Sequence, residues 1–189
     1  MDTTLIIILV VAAIVLITII SIYNSLINKR NQVDNIFATI DVLLKKRYDL
    51  IPNLVSAVQE YMKHEQGTLT KITELRSRAM DTNLNSDEKV ALNNQISQAL
   101  NGIKVAVENY PELKANQNFI HLQGSINEVE EQISAARRAF NATVTDYNNS
   151  VQMFPSNIMA GIMGFKVKQL FQIDETERKN VDVKKLFNS

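Results

Sequence analysis

The sequence predicts an all-α protein: one N-terminal transmembrane helix followed by an antiparallel helical bundle of three long helices and a shorter fourth. Three observations predict it. No charged residue lies between Asp2 and Lys29. From Val33 onward, apolar residues recur at three- and four-residue spacings, the period of a helix with one buried face. The 189 residues include only 5 Gly and 3 Pro, too few for the tight turns that many short strands would need.

The anchor comes first. Leu5 to Tyr23 reads LIIILVVAAIVLITIISIY, interrupted only by Thr18 and Ser21 before the tyrosine. A helix of that length rises roughly 28 Å, close to a hydrocarbon core of about 30 Å. Tyr23 suits the membrane interface. A cleaved signal peptide would want a basic leader, a shorter apolar stretch and a small-x-small cleavage site. Met-Asp-Thr-Thr is not basic, and Ser21-Ile22-Tyr23-Asn24 is not such a site. The segment therefore reads as an uncleaved anchor. Lys29 and Arg30 follow the run and no basic side chain precedes it, which favours an outside N-terminus and a cytoplasmic soluble domain.

The bundle is next. Val33, Phe37, Ile40, Leu44, Ile51, Leu54, Val58, Tyr61, Ile72, Leu75 and Ala79 form one seam, widened by Ile36, Leu43 and Leu50. Asp34, Asp41, Lys45, Asp49, Gln59 and Lys63 occupy the opposite face. No turn signal separates Tyr23 from Val33, so the first long helix continues out of the anchor. Pro52 is expected to kink it, and Gly67 to loosen it again. Asp81 to Ser86 is turn-like, and Ser86 is a good N-cap. A second helix runs to about Asn109 with Leu92, Ile96, Ala99, Ile103 and Ala106 on one face, and Tyr110-Pro111 ends it. Asn116 can cap a third helix carrying Phe119, Leu122, Ile126, Val129, Ile133, Ala136, Phe140, Tyr147 and Val151, stopped by Phe154-Pro155. A glycine-interrupted stretch from Ser156 to about Gln172 carries Ile158, Ile162, Phe165, Leu170 and Phe171 and can close the bundle. The domain division is then 1–28 for the tail and anchor, 29–173 for the bundle and 174–189 for a charged, loosely held tail.

Several segments together resemble the LemA family of bacterial membrane proteins. They are Tyr23-Asn24-Ser25-Leu26 with Arg30-Asn31-Gln32-Val33; the long run from Ile40 to Val55, IDVLLKKRYDLIPNLV; Tyr110-Pro111-Glu112-Leu113-Lys114-Ala115-Asn116; and Ala136-Arg137-Arg138-Ala139-Phe140-Asn141 with Phe154-Pro155-Ser156-Asn157. Phe37 stands where the family is expected to carry Trp, a conservative departure. The resemblance implies a membrane helix and a helical bundle, and it implies no catalytic residues.

The candidate sites are weak. His64 and Glu65 are adjacent, so on a helix they diverge by about 100°, whereas ligands on one face want spacings of three or four. Glu60, four residues before His64, makes an ordinary carboxylate–histidine pair. Nothing near His121 completes a metal site. Glu128, Glu130 and Glu131 read as solvated or as inter-helix salt bridges, because no Glu-x-x-His accompanies them; Glu130 and Arg137 are too far apart to pair within the helix. Within Lys45-Lys46-Arg47-Tyr48-Asp49, Arg47 takes a seam position. Its stem is expected to pack while its guanidinium reaches a carboxylate, with a polar register pin or a partner contact as the functional reading. The absence of Cys excludes thiolate catalysis and cysteine-ligated metals. A formal charge of +0 gives no global drive toward nucleic acid.

The expectation is therefore a membrane-anchored scaffold or interaction module and not an enzyme, with no catalytic, cofactor-binding or metal residues and no cofactor. Its partner would be another protein or a second copy of itself, and not nucleic acid. Two alternatives stay open: a ligand-binding or hydrolytic domain built from scattered residues, and a lipid-surface element at 156–172.

Overall fold

The computed structural model describes residues 2–81 and 86–171. The expected turn at 82–85, the side chain of the capping Ser86 and the charged tail at 174–189 lie outside the described side chains. Every regular element among the described residues is helical. The order is α1 (Thr3–Val58), a 3-10 turn (Lys63–Glu65), α2 (Gln66–Ala79), α3 (Ser86–Val107), α4 (Pro111–Lys114), α5 (Gln117–Gln152) and α6 (Ser156–Ile162).

The all-α class with an apolar N-terminal helix stands, and the divisions within it are finer than the spacing showed. α1 runs 56 residues from the apolar segment into the folded core without a break. Thr18, one of two hydroxyl side chains interrupting the apolar run, bonds its own turn through Oγ1 to the Ile14 carbonyl at 2.8 Å. That satisfies its hydroxyl where lipid offers no partner. Pro52 lies inside α1 and does not end it. Proline has no N–H, so the carbonyl four residues back, on Tyr48, loses its helical donor. Arg76 of α2 supplies a replacement, donating from Nε to the Tyr48 oxygen at 2.7 Å. The helix ends instead at Val58, and buried Met62 leads into the 3-10 turn. No glycine or proline marks that break.

The chain packs as two compact units. The first joins residues 2–42 to Gln132–Leu170. In it α1 and α5 are antiparallel, as two pairings show: Phe37 meets Phe140 at 5.9 Å between ring centroids, and Lys29 bonds Asp146 at 2.8 Å. Leu26, Val33, Ile40, Ile133, Val144 and Tyr147 are buried between these helices. The second unit joins the described residues of Leu43–Glu131 to Phe171. Here α2 packs on α3, α4 packs on α3, and the core includes Ile51, Val58, Ile72, Ile96, Ile103, Leu113 and Val129. Asn116 caps α5 as its sequence position implied, its Oδ1 accepting the Phe119 N–H at 3.2 Å.

The fourth helical stretch is shorter than Ser156 to Gln172. α6 stops at Ile162, and the reason is a glycine C-cap. Gly164 takes φ 71, a conformation costly for residues with a Cβ. The Phe165 N–H reaches back to the Ala160 carbonyl at 2.9 Å and the Gly164 N–H to that of Gly161 at 3.4 Å, the two bonds of a Schellman motif. Beyond it the chain is not helical.

Candidate functional site

Two places carry more chemistry than a helical core requires. The first is a buried polar cluster in the second unit. On α1 the core positions Leu44, Arg47, Ile51 and Leu54 recur at helical spacing, so the backbone turns Arg47 into the core with its apolar neighbours. Its side chain is 0% exposed. Nη1 pairs with Glu130 Oε1 of α5 at 2.7 Å and bonds Ser97 Oγ of α3 at 3.0 Å. Nη2 donates to Asn93 Oδ1 of α3 at 2.5 Å. The Tyr48 hydroxyl donates to the same Asn93 oxygen at 2.6 Å, and Asn93 Nδ2 donates to the Lys89 carbonyl at 2.8 Å.

The physics of this cluster is that of a pin. A buried guanidinium is tolerated only where its donors are met, and its attraction to one carboxylate must offset the desolvation of both. Three of its donor directions end on α3 or α5, and each end is a side chain oxygen at a fixed register. Sliding α1 by one turn, about 5.4 Å, would break all three bonds at once, and sliding α3 or α5 would break those made to that helix. Arg47 Nε has no acceptor among the described residues.

The sequence expectation for Arg47, a packed stem with the guanidinium on a carboxylate, matches this geometry. Of the acidic trio, Glu130 is the inter-helix partner, while Glu128 and Glu131 are exposed. Asn93 and Ser97 were not anticipated. Their signal was present: they sit four apart on α3, interleaved with the buried Leu92 and Ile96. Two polar residues on a core-facing stripe ask for a buried polar partner. His64 lies exposed in the 3-10 turn, past the end of α1, so the helical relation to Glu60 does not arise. His121 is exposed on α5. Among the described residues no three His, Cys, Asp or Glu side chains converge as metal ligands would.

The second place is apolar, and it belongs to the first unit. Leu5 to Ile20 of α1 are exposed, as a lipid-facing span requires, and the window apolar enough to cross a membrane is 0% buried. Beyond the end of α5, Met153, Phe154, Ile158, Ile162 and Met163 are also exposed, between 50% and 80%. Ile158 and Ile162, expected to pack inward, face out; Ala160 is the residue of α6 that is buried. The segment is nonetheless tied down. Phe165 meets Tyr23 edge-on at 6.5 Å, and the Arg30 guanidinium lies 5.5 Å from the same ring. The Tyr147 hydroxyl donates to the Lys166 carbonyl at 2.9 Å. Asn148 brackets Lys168, accepting its N–H and donating to its carbonyl, both at 2.8 Å. Lys168 Nζ pairs with Asp34. Burial pushes the Tyr147 phenol above its usual range; the Arg30 charge opposes the shift and the Asp34 charge adds to it.

The sequence profile of the LemA family matches residues 36–184. The chain belongs to the LemA family. The match begins beyond the apolar run and takes in Arg47, Asn93, Ser97 and Glu130. Protein LemA of Metamycoplasma hominis is 28% identical over 165 residues, covering 87% of this chain and 75% of that protein. Magnetosome proteins MamQ 1 and MamQ 2 of Paramagnetospirillum magneticum are each 22% identical over 175 residues, covering 79% of this chain and 64% of theirs. The chain thus spans less than two thirds of those magnetosome proteins. Membership agrees with a membrane-associated helical protein, and the N-terminal apolar helix precedes the matched residues.

Proposed function

We propose that this chain is a single-pass membrane scaffold whose helical bundle binds another protein or a second copy of itself. The observation that supports this best is the continuity of α1. One helix carries 0%-buried apolar surface in its first turns and core residues of the first unit from Leu26 onward, so that unit is built directly on the span. The likeness to magnetosome proteins agrees with a membrane location. The main polar cluster points inward, with Arg47, Asn93, Ser97 and Glu130 bonded to one another. Such a cluster sets helix register and leaves the outer faces to make contacts.

The test is crosslinking in native membranes followed by purification of the full chain. A defined crosslinked species, homomeric or with one recurrent partner, is expected. Recovery of uncrosslinked monomer alone, under conditions that capture a known membrane complex, would remove the scaffold reading. The orientation proposed, with the bundle cytoplasmic, rests on Lys29 and Arg30 after the span. A reporter active only outside the cytoplasm, fused after Ser189, is expected to be silent, and a strong signal reverses the orientation.

A further inference from the structure

We infer that residues 153–163 form a second, interfacial membrane contact, seated in the headgroup and upper acyl region of the leaflet from which α1 emerges. The inference rests on α1 being the membrane anchor and goes on to say what covers the apolar surface next to it.

Height along α1 is the first argument. Lys29 pairs with Asp146, and α5 runs antiparallel to α1 in this unit. Six residues back from Lys29 is Tyr23, and six residues on from Asp146 is Gln152, the last of α5. Both steps cover about 9 Å at the helical rise. The end of α5 therefore comes level with Tyr23, the residue that closes the apolar run. Phe165 confirms the level from the other side, because its ring lies against Tyr23 and Arg30. The chain after Gly164 then climbs away from the span, from Phe165 beside Tyr23 to Lys168 beside Asp34. The stretch between Gln152 and Gly164 therefore starts and finishes at the level of the span's end.

Surface character is the second argument. Phe154 is 80% exposed and Ile162 is 72% exposed. Met153, Ile158 and Met163 extend the same exposed set. In water this would be a costly apolar patch of the kind that marks a contact surface. No Asp or Glu occurs between Asp146 and Asp174, whereas Lys166 follows the apolar residues and Lys168, further on, is paired with Asp34. Apolar residues at the depth of an interfacial tyrosine, with no acidic residue among them and Lys166 close after, suit a lipid interface carrying anionic headgroups. A protein partner would have no need to sit at that depth.

The test exploits the absence of Cys in the chain. Four single-cysteine variants of the full chain, Phe154→Cys, Ile162→Cys, Ala13→Cys and Val42→Cys, carry a polarity-sensitive fluorophore. They are reconstituted in vesicles of phosphatidylcholine and phosphatidylglycerol. Val42 is 69% exposed in the same unit and lies roughly 28 Å along α1 from Tyr23, so it reports water. Labels at Phe154 and Ile162 are expected to be blue-shifted and quenched several-fold more by a shallow lipid-borne quencher than the label at Val42. The label at Ala13 is expected to respond to a deep quencher. If Phe154 and Ile162 behave as Val42 does, and iodide quenches all three equally, the interfacial contact is wrong while the anchor stands. If the Ala13 label is quenched by iodide, the anchor reading fails and takes this inference with it.

Discussion

Two regions of this molecule break the usual sorting of side chains in opposite directions. In the second unit a charged Arg47 is wholly buried. In the first, Phe154 and Ile162 stand 80% and 72% exposed. The first exception is stabilised from inside: oxygen atoms of Glu130, Ser97 and Asn93 take the place of water. The second has no such compensation among the described residues, and the interfacial contact inferred above would supply it from outside. The comparison teaches that a misplaced polar group and a misplaced apolar group call for different explanations. A buried charge is a statement about helix register, and an exposed apolar cluster is a statement about surroundings.

The largest effect should come from breaking the arginine cluster. Arg47→Ala removes a packed stem and strands Asn93 and Glu130, and should cost about 3–5 kcal/mol, the range for breaking a buried ion pair. Denaturant unfolding of the full chain in detergent, followed by circular dichroism, measures it. Glu130→Gln keeps an acceptor and should cost less. Equal losses for the two variants would mean that charge, not hydrogen-bond geometry, holds the register.

Next in size is the bond that lets α1 pass through Pro52. Arg76→Ala should cost about 1.5–3 kcal/mol, as for a hydrogen bond from a charged donor. In a Pro52→Ala background the loss should shrink, because the backbone N–H gained there can reach the Tyr48 carbonyl itself. A double-mutant cycle reads this coupling. Strict additivity would show that Arg76 acts elsewhere.

A smaller effect is expected at high pH. The Tyr147 phenol is raised in the folded state, chiefly by burial, with Arg30 opposing and Asp34 adding. An unfolded tyrosine ionises near about 10. The stabilisation is therefore complete below that value and is lost as pH rises through it toward the folded pKa. Tyr147→Phe should flatten the alkaline fall in melting temperature relative to the parent chain.

The smallest effect belongs to the exposed face. Phe154→Ser with Ile162→Ser should leave unfolding in detergent within about 0.5 kcal/mol of the parent, as for surface sites. A loss comparable to that of Arg47→Ala would show that these side chains pack within the chain, and would dissolve the contrast.

Much of the site was legible from spacing. Arg47 stood out as a charge on an apolar seam, and Glu130 was placed among residues suited to inter-helix bridges. Asn93 and Ser97 were hidden because Asn and Ser are ordinary on helix surfaces; only the facing guanidinium gives them meaning. The outward turn of Ile158 and Ile162 was hidden for another reason. Ile158, Met159, Ile162 and Met163 are all apolar, so no period says which of them packs inward.

The apolar run, the helical class and the cap at Asn116 were legible in the sequence alone; the stop at Gly164 was not, because Ser156 to Gln172 reads as one helical stretch. The legible features follow from local physics: apolar run length against bilayer thickness, hydrophobic period, and turn chemistry within a few residues. Only the tertiary structure decided the partners of Arg47, which lie 46, 50 and 83 residues away in the chain. It also decided the end of α1 at Val58, where no glycine or proline stands, and the meeting of Phe165 with Tyr23. Those features depend on how distant helices align. That alignment is set by the summed packing of many side chains, so no single stretch of the chain encodes it.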